Sequence, residues 1–316
     1  MKEKIFDMVK RGVSLDNIIL ETGLNYYEIY EQINFLKNMG YNVCNKYLYN
    51  GKNIYYISNT IDNKTYPLIE VNPSVNEIDM VIISDLHMGS ERERYDSLYN
   101  VYNFCDKENI HFVINAGDVM AGLFGNDNKR IGDFKGQIKH VVDDYPLISN
   151  IITFICFGNH DFHSFKAEGL DGAKVICDKR HDLVNLGYGF GMIGILDDKI
   201  YVCHSGTCKS SNVNHDLMRK FIISGGGHRF KMCFNSNFVL YPPTLSDLKF
   251  TNNEFLPGFV KVKFLLEDNK IKLGFFDHYL VSGNNFYRVG NFIVDFDKIL
   301  NNSDMYNKDK KLKLEI

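Results

Sequence analysis

Hydrophobic and polar positions along the chain change their period several times. Ile5, Phe6, Met8 and Val9 mark one face of a short helix closed by Gly12. Ser14, with Asp16 two residues on, predicts the cap of a second helix over Leu15–Glu21, ended by Gly23. Asn25 opens a third, with Tyr27, Ile29, Tyr30, Ile33, Phe35, Leu36 and Met39 before Gly40. Two β-prone runs, 41–48 and 54–58, then flank Asn50-Gly51, a strong hairpin signal. From Glu77 the apolar residues come in short unbroken runs, the mark of strands buried on both faces: 80–83, 111–114, 151–157, 200–203 and 221–223. Runs at 256–266, 270–281 and 291–294 predict hairpin strands that complete a second sheet.

The periods divide the chain into a small unit over 1–58, a linker over 59–76 with Pro67 and Pro73, a large α/β domain over 77–300, and a polar tail over 301–316. The first unit resembles a winged helix-turn-helix, which would place its third helix against DNA. A protein-binding or dimerisation module reads the same elements differently. Residues 1–58 hold seven basic and six acidic residues, and the third helix sets Glu28 and Glu31 against Lys37. That balance is the wrong sign for a phosphate backbone and favours the protein-binding reading.

Charge and cysteine count narrow the setting. The net charge of −3 gives no general basic field for nucleic acid. Seven cysteines without a Cys-x-x-Cys pair argue against a disulfide scaffold and fit a reducing compartment. The charged start, MKEKIFDMVKRG, does not read as a signal peptide, and no run is long enough to span a membrane. A cytoplasmic location is therefore expected.

The chemistry lies where the apolar runs end. They deliver Asp85-Leu86-His87, Gly117-Asp118, Gly158-Asn159-His160-Asp161, His204 and Gly227-His228. Ligand sites in open α/β sheets form outside the carboxyl ends of strands. Oxygen and imidazole donors without thiolate suit Mn, Fe, Zn or a similar divalent cation. One Asp-x-His would say little, but the ordered series is specific. It resembles the motif series of the calcineurin-like metallophosphoesterase superfamily over residues 77–300. The resemblance implies a four-layer α/β/β/α sandwich of two mixed sheets with two divalent cations at the sheet edges, Mn²⁺ first, with Fe, Zn, Mg or Ni as alternatives. By motif match Asp85 and His87 would hold the first cation, Asp118 would bridge, and Asn159, His204 and His228 would hold the second. His160 would be the general acid or steady the transition-state phosphate, with Asp161 orienting its imidazole.

One departure accompanies the match. The family closes its series with Gly-His-x-His, whereas Gly227-His228-Arg229-Phe230 puts Phe230 at the second histidine. The first site would then be weakened, mononuclear, or completed by another donor such as Asp277 or His278; Arg229 would instead meet a substrate phosphate. The loop 241–247 is expected to line the substrate groove. The motif forms look more like the phosphodiesterase and nuclease branches than the protein phosphatases. A metal-dependent phosphodiesterase or nuclease using metal-activated water is expected, acting on a phosphate ester such as DNA or RNA. The alternatives are a phosphomonoesterase, and a DNA- or protein-binding regulator on a catalytically impaired scaffold.

Overall fold

A computed structural model describes residues 2–58, 66–125, 128–205, 221–234, 237–247, 249–250, 253–254 and 256–301. The tail beyond Asn301 lies outside them. The chain opens with α1 (Lys2–Arg11), β1 (Val13–Ser14), α2 (Leu15–Thr22), α3 (Tyr26–Asn38) and the hairpin β2 (Val43–Leu48) and β3 (Asn53–Ile57). Helix starts and stops follow the local chemistry. Ser14 accepts the Asn17 N–H, and Gly23 ends α2 in left-handed backbone. Asn25 and Glu28 exchange side-chain and backbone hydrogen bonds at 3.0 and 2.9 Å, a capping box that starts α3.

The large domain follows as β4 (Leu68–Glu70), β5 (Glu77–Ile83), α4 (Tyr95–Lys107), β6 (Phe112–Asn115), α5 (Phe134–Asp144), β7 (Ile152–Phe157), α6 (Asn159–Glu168), α7 (Gly172–Lys179), β8 (Leu183–Tyr188), β9 (Phe190–Ile195), β10 (Asp198–His204), β11 (Phe221–Gly225), β12 (Lys231–Phe234) and β13 (Phe238–Tyr241). A short pair, β14 (Lys249–Phe250) and β15 (Asn253–Glu254), precedes β16 (Gly258–Glu267), β17 (Lys270–Ser282), β18 (Asn285–Asp295) and α8 (Phe296–Asn301).

Two mixed sheets result. One runs β18-β17-β16-β5-β6-β7-β8, the other β1-β3-β2-β4-β9-β10-β11-β13-β12. Ile82, Ile114 and Phe154 of the first face Ile193, Val202 and Ile223 of the second across a shared apolar core. A second core, with Val81, Val113 and Ile155, packs the opposite face of the first sheet on α4, α5 and α7. Strands β5 to β8 are parallel, as are β10, β11 and β13, so their carboxyl ends gather along one edge.

Two expectations change. The C-terminal strands do not complete the second sheet: β16 pairs antiparallel with β5 and extends the first. The stretch read as a linker contributes β4, which pairs parallel with β2 on one side and β9 on the other. The N-terminal unit has its own core of Ile5, Val9, Ile18, Ile29 and Ile33, yet its hairpin continues the nine-stranded sheet.

Candidate metal centre

The motif loops are laced together by backbone. Beyond β5, the Asp85 N–H donates to the Gly117 carbonyl at 2.9 Å, His87 N–H to Asp118 at 3.0 Å and Met88 N–H to Val119 at 2.8 Å. Asp85, His87, Asp118 and His228 all adopt left-handed backbone, with φ of 56°, 48°, 50° and 58°. Such conformations are unfavourable for non-glycine residues and gather where surrounding structure enforces them, often at functional sites.

Among the described residues two groups of donors result. Asp85, His87 and His228 form one and Asp85, Asp118 and His204 the other, the ligand atoms of each lying within 4.8 Å of one another. Asp85 belongs to both. His228 Nε2 is 3.2 Å from Asp85 Oδ1, and His204 Nε2 is 3.0 Å from Asp118 Oδ2. His204 Nδ1 donates to the Ala116 carbonyl at 2.7 Å, which fixes the ring with Nε2 toward Asp118. Asp118 Oδ1 accepts the His160 N–H at 2.9 Å, which ties the first turn of α6, a helix that begins at Asn159, to the carboxylate. A Cβ at Gly158 would collide with Asp118, so glycine is what lets the two loops approach.

Carboxylate–imidazole pairing sets the electrostatics of the cluster. Burial would raise the Asp118 carboxyl, but the charge and hydrogen bond of His204 outweigh it and hold the group below the carboxylate range. Burial alone would lower His204, but Asp118 lifts it to about 10. Asp85 is likewise held down against its burial by His228 and His204. Asp85 Oδ1 is buried and makes no well-directed hydrogen bond. A buried carboxylate oxygen facing imidazoles, with hard and borderline donors converging from separate loops, fits a divalent cation.

The structure redraws three assignments. His228 lies with Asp85 and His87, not with the second group. Phe230 does not stand in for a ligand: its ring stacks on His278 at 4.1 Å and 12°, and lies 5.7 Å from Phe292, against the inter-sheet core. Among the described residues neither His278, which lies in that stack, nor Asp277, which accepts from the Asn291 side chain, belongs to a donor group. It is Gly226 that faces the other group, since a Cβ there would lie 3.0 Å from His204 Nε2.

Asp161 does not orient His160. Its carboxylate accepts backbone N–H groups from Gly158, Val119 and Met120 at 2.8, 3.2 and 2.9 Å, and burial beside Asp118 raises it to about 7. It fixes the loop that carries Asp118. His160 Nδ1 donates instead to the Ala121 carbonyl at 2.7 Å, and its ring meets His87 edge-on at 4.8 Å. Arg229 is exposed. Most of the 241–247 loop is buried beneath the site, with the hydroxyls of Thr244 and Ser246 on the Asp85 carbonyl, contacts that no side-chain motif announces.

The calcineurin-like phosphoesterase family model matches residues 78–276. Similar solved structures include a predicted phosphoesterase from Streptococcus pneumoniae TIGR4, 15% identical over 70% of this chain and 99% of that one, with a TM-score of 0.40. The phosphoesterase Yfce from E. coli is 14% identical over 61% and 96%, with a TM-score of 0.39. The purple acid phosphatase PPD1 of yellow lupin is 12% identical over 82% and 60%, with a TM-score of 0.46. No curated protein matches. Among the described residues no helix is long and apolar enough to cross a membrane.

Proposed function

The chain belongs to the calcineurin-like phosphoesterase family, and from that premise we propose a metal-dependent phosphodiesterase or nuclease centred on Asp85, His87, Asp118, Asn159, His204 and His228. The observation that carries this reading is the pair of donor groups joined through Asp85. Two divalent cations held there, Mn²⁺ first among the candidates, would acidify water and neutralise charge on the phosphoryl oxygens. The protein's own part is positional. The Asp118 carboxylate pairs with His204 through one oxygen and accepts the His160 N–H on the other, while Asp85 joins the two donor groups. His160, pinned through Nδ1, keeps Nε2 for the leaving-group oxygen and would deliver a proton there. Asp161 keeps the Asp118 and His160 loops at fixed separation. The preference for diesters rests on the Asp-Leu-His-x-Gly and Gly-Asn-His-Asp forms of the motifs.

The impaired-scaffold alternative keeps one supporting observation. Gly226 offers no side-chain donor beside His204, so the loop after β11 adds a ligand, His228, to one group and none to the other. Mn²⁺ titration should accordingly resolve a tighter and a weaker phase, His228→Ala removing the first and His204→Ala the second. Turnover of bis(p-nitrophenyl) phosphate above p-nitrophenyl phosphate, absent in Asp118→Asn, is the expected activity. A wild-type protein that binds Mn²⁺ and hydrolyses neither ester would leave the regulator reading.

Residues 1–58 read as a winged-helix-type unit from the order helix, strand, helix, helix, hairpin. Tyr30 donates to Asp178 at 2.9 Å and Tyr26 packs on His181 at 4.6 Å, while Glu28 and Glu31 face solvent. That arrangement favours a protein-facing role for α3 over contact with phosphates.

A further inference from the structure

The stretch after β13 carries two side chains with no place in either donor group. Thr244 and Ser246 are fully buried. Their hydroxyls turn toward backbone: Thr244 Oγ1 reaches the Asp85 carbonyl at 3.0 Å and Ser246 Oγ reaches the same oxygen at 2.8 Å. The hydroxyls lie 2.9 Å apart, and the Ser246 N–H donates to Thr244 Oγ1 at 3.1 Å. Backbone contacts run the other way across the site. The Thr244 N–H donates to the His228 carbonyl at 3.1 Å, and the Leu245 N–H to the Ser84 carbonyl at 3.0 Å.

Three consecutive residues therefore hold the backbones of two donors that come from different sheets. Asp85 follows β5 of the seven-stranded sheet and His228 follows β11 of the nine-stranded one. Both donors are in left-handed backbone, which reverts to ordinary conformations unless neighbours prevent it. The stretch is itself anchored. The Thr244 carbonyl accepts the Gly258 N–H at 2.9 Å, the Asp247 N–H donates to the Arg92 carbonyl at 2.9 Å, and Arg94 Nη1 contacts both Asp247 carboxylate oxygens at 2.8 and 3.0 Å.

We propose that Thr244 and Ser246 are positioning residues of the metal centre, a hydroxyl clamp on the Asp85 carbonyl that sets Asp85 against His228 so that both side chains meet one cation. The proposal rests on the metal-centre reading above. Groups that fix a ligand without touching the metal typically contribute about 10–100-fold in metal affinity.

The test uses the full chain. Mn²⁺ affinity is measured by calorimetry for wild type, Thr244→Val, Ser246→Ala and Thr244→Ser, alongside the melting temperature of the metal-free proteins. Hydrogen exchange follows the Gly226 amide, which donates to Asp85 Oδ2 at 3.2 Å. The expected result is Mn²⁺ binding weakened about 10–100-fold in Thr244→Val and Ser246→Ala, affinity near wild type in Thr244→Ser, and faster exchange at Gly226 in the weakened variants. A lower melting temperature with unchanged Mn²⁺ affinity would make the pair merely structural and overturn the proposal. Should Thr244→Val fail to fold, Ser246→Ala decides alone, and wild-type affinity in it overturns the clamp. A wild-type protein that binds no Mn²⁺ would sink the metal-centre reading instead; the clamp is then judged by exchange at Gly226, and unchanged protection in Ser246→Ala overturns it.

Discussion

At the scale of single residues, the centre depends on carbonyl oxygens as much as on its donors. The Ala116 and Ala121 carbonyls take Nδ1 of His204 and His160 and leave each ring one working nitrogen. For His204 that nitrogen faces Asp118, while His160 belongs to neither donor group. His160→Ala should therefore keep the Mn²⁺ stoichiometry of wild type and lose roughly 10²–10⁴-fold in turnover, the usual range for a lost general acid. Metal content measured beside kcat checks it, and loss of a cation in the variant would make His160 a ligand. Most of these residues were legible in the sequence because each motif ends an apolar run that fixes its place. His228 was not legible in the same way. Gly225, Gly226 and Gly227 are identical landmarks, so the register of the following histidine depends on where β11 stops pairing, and the ladder carries it to Gly225 opposite His204. The role of Asp161 is not legible in the same way, because its three partners are backbone N–H groups that leave no trace in a side-chain pattern. The contacts of Thr244 and Ser246 were hidden for the same reason.

At the scale of elements, strands were easier to read than their neighbours. The central strands carry apolar runs where both faces are covered, Met80–Ile83 in β5 and Phe154–Phe157 in β7, and β16 alternates buried and half-buried positions over most of its length. Which sheet β16 joins depends on pairing with β5 some 180 residues earlier, and alternation along one strand does not specify that partner. The joint between β17, β18 and the loop after β11 has a measurable signature. Phe230 stacks on His278 and lies 5.7 Å from Phe292, and among the described residues His278 Nε2 is buried without a hydrogen-bond partner. Burial pushes this imidazole down to about 4. A histidine depressed in the folded state is neutral there, so its contribution is whole above the unfolded value near 6.5. It is lost as pH falls from there through about 4. Wild type should lose more stability across that window than His278→Phe, which keeps a ring in the stack and removes the titration. Urea midpoints at pH 7 and pH 4.5 for both proteins test this, and parallel losses would remove His278 from the account.

At the scale of the whole molecule, the N-terminal unit and the phosphoesterase domain share one sheet. The sequence shows two patterns and a Pro-containing stretch between them, which reads as two bodies on a linker. The parallel pairing of β4 with both β2 and β9 has no local signature, because parallel partners are brought together from distant segments. Val43 and Tyr47 lie four residues apart on one face of β2, yet Val43 packs with the N-terminal helices and Tyr47 with the inter-sheet core. Tyr47 is 3% exposed and meets Phe154 edge-on at 5.3 Å. Tyr47→Ala should therefore destabilise the protein by about 3–5 kcal/mol, the range for losing a large aromatic from a core, and should do so in a single unfolding transition. Tyr27, exposed on α3, should change stability by less than about 0.5 kcal/mol when replaced by alanine. Deleting residues 1–58 would remove β1, β2 and β3 together and leave β4 as an open edge with the Phe154 side of the core uncovered. The truncated chain should melt lower than the full protein or aggregate, and hydrolysis of a small diester should fall with the folded fraction. Differential scanning calorimetry separates the two arrangements: a shared sheet gives one cooperative transition that the deletion shifts down, whereas two bodies on a tether would give two transitions, one of which the deletion leaves unmoved.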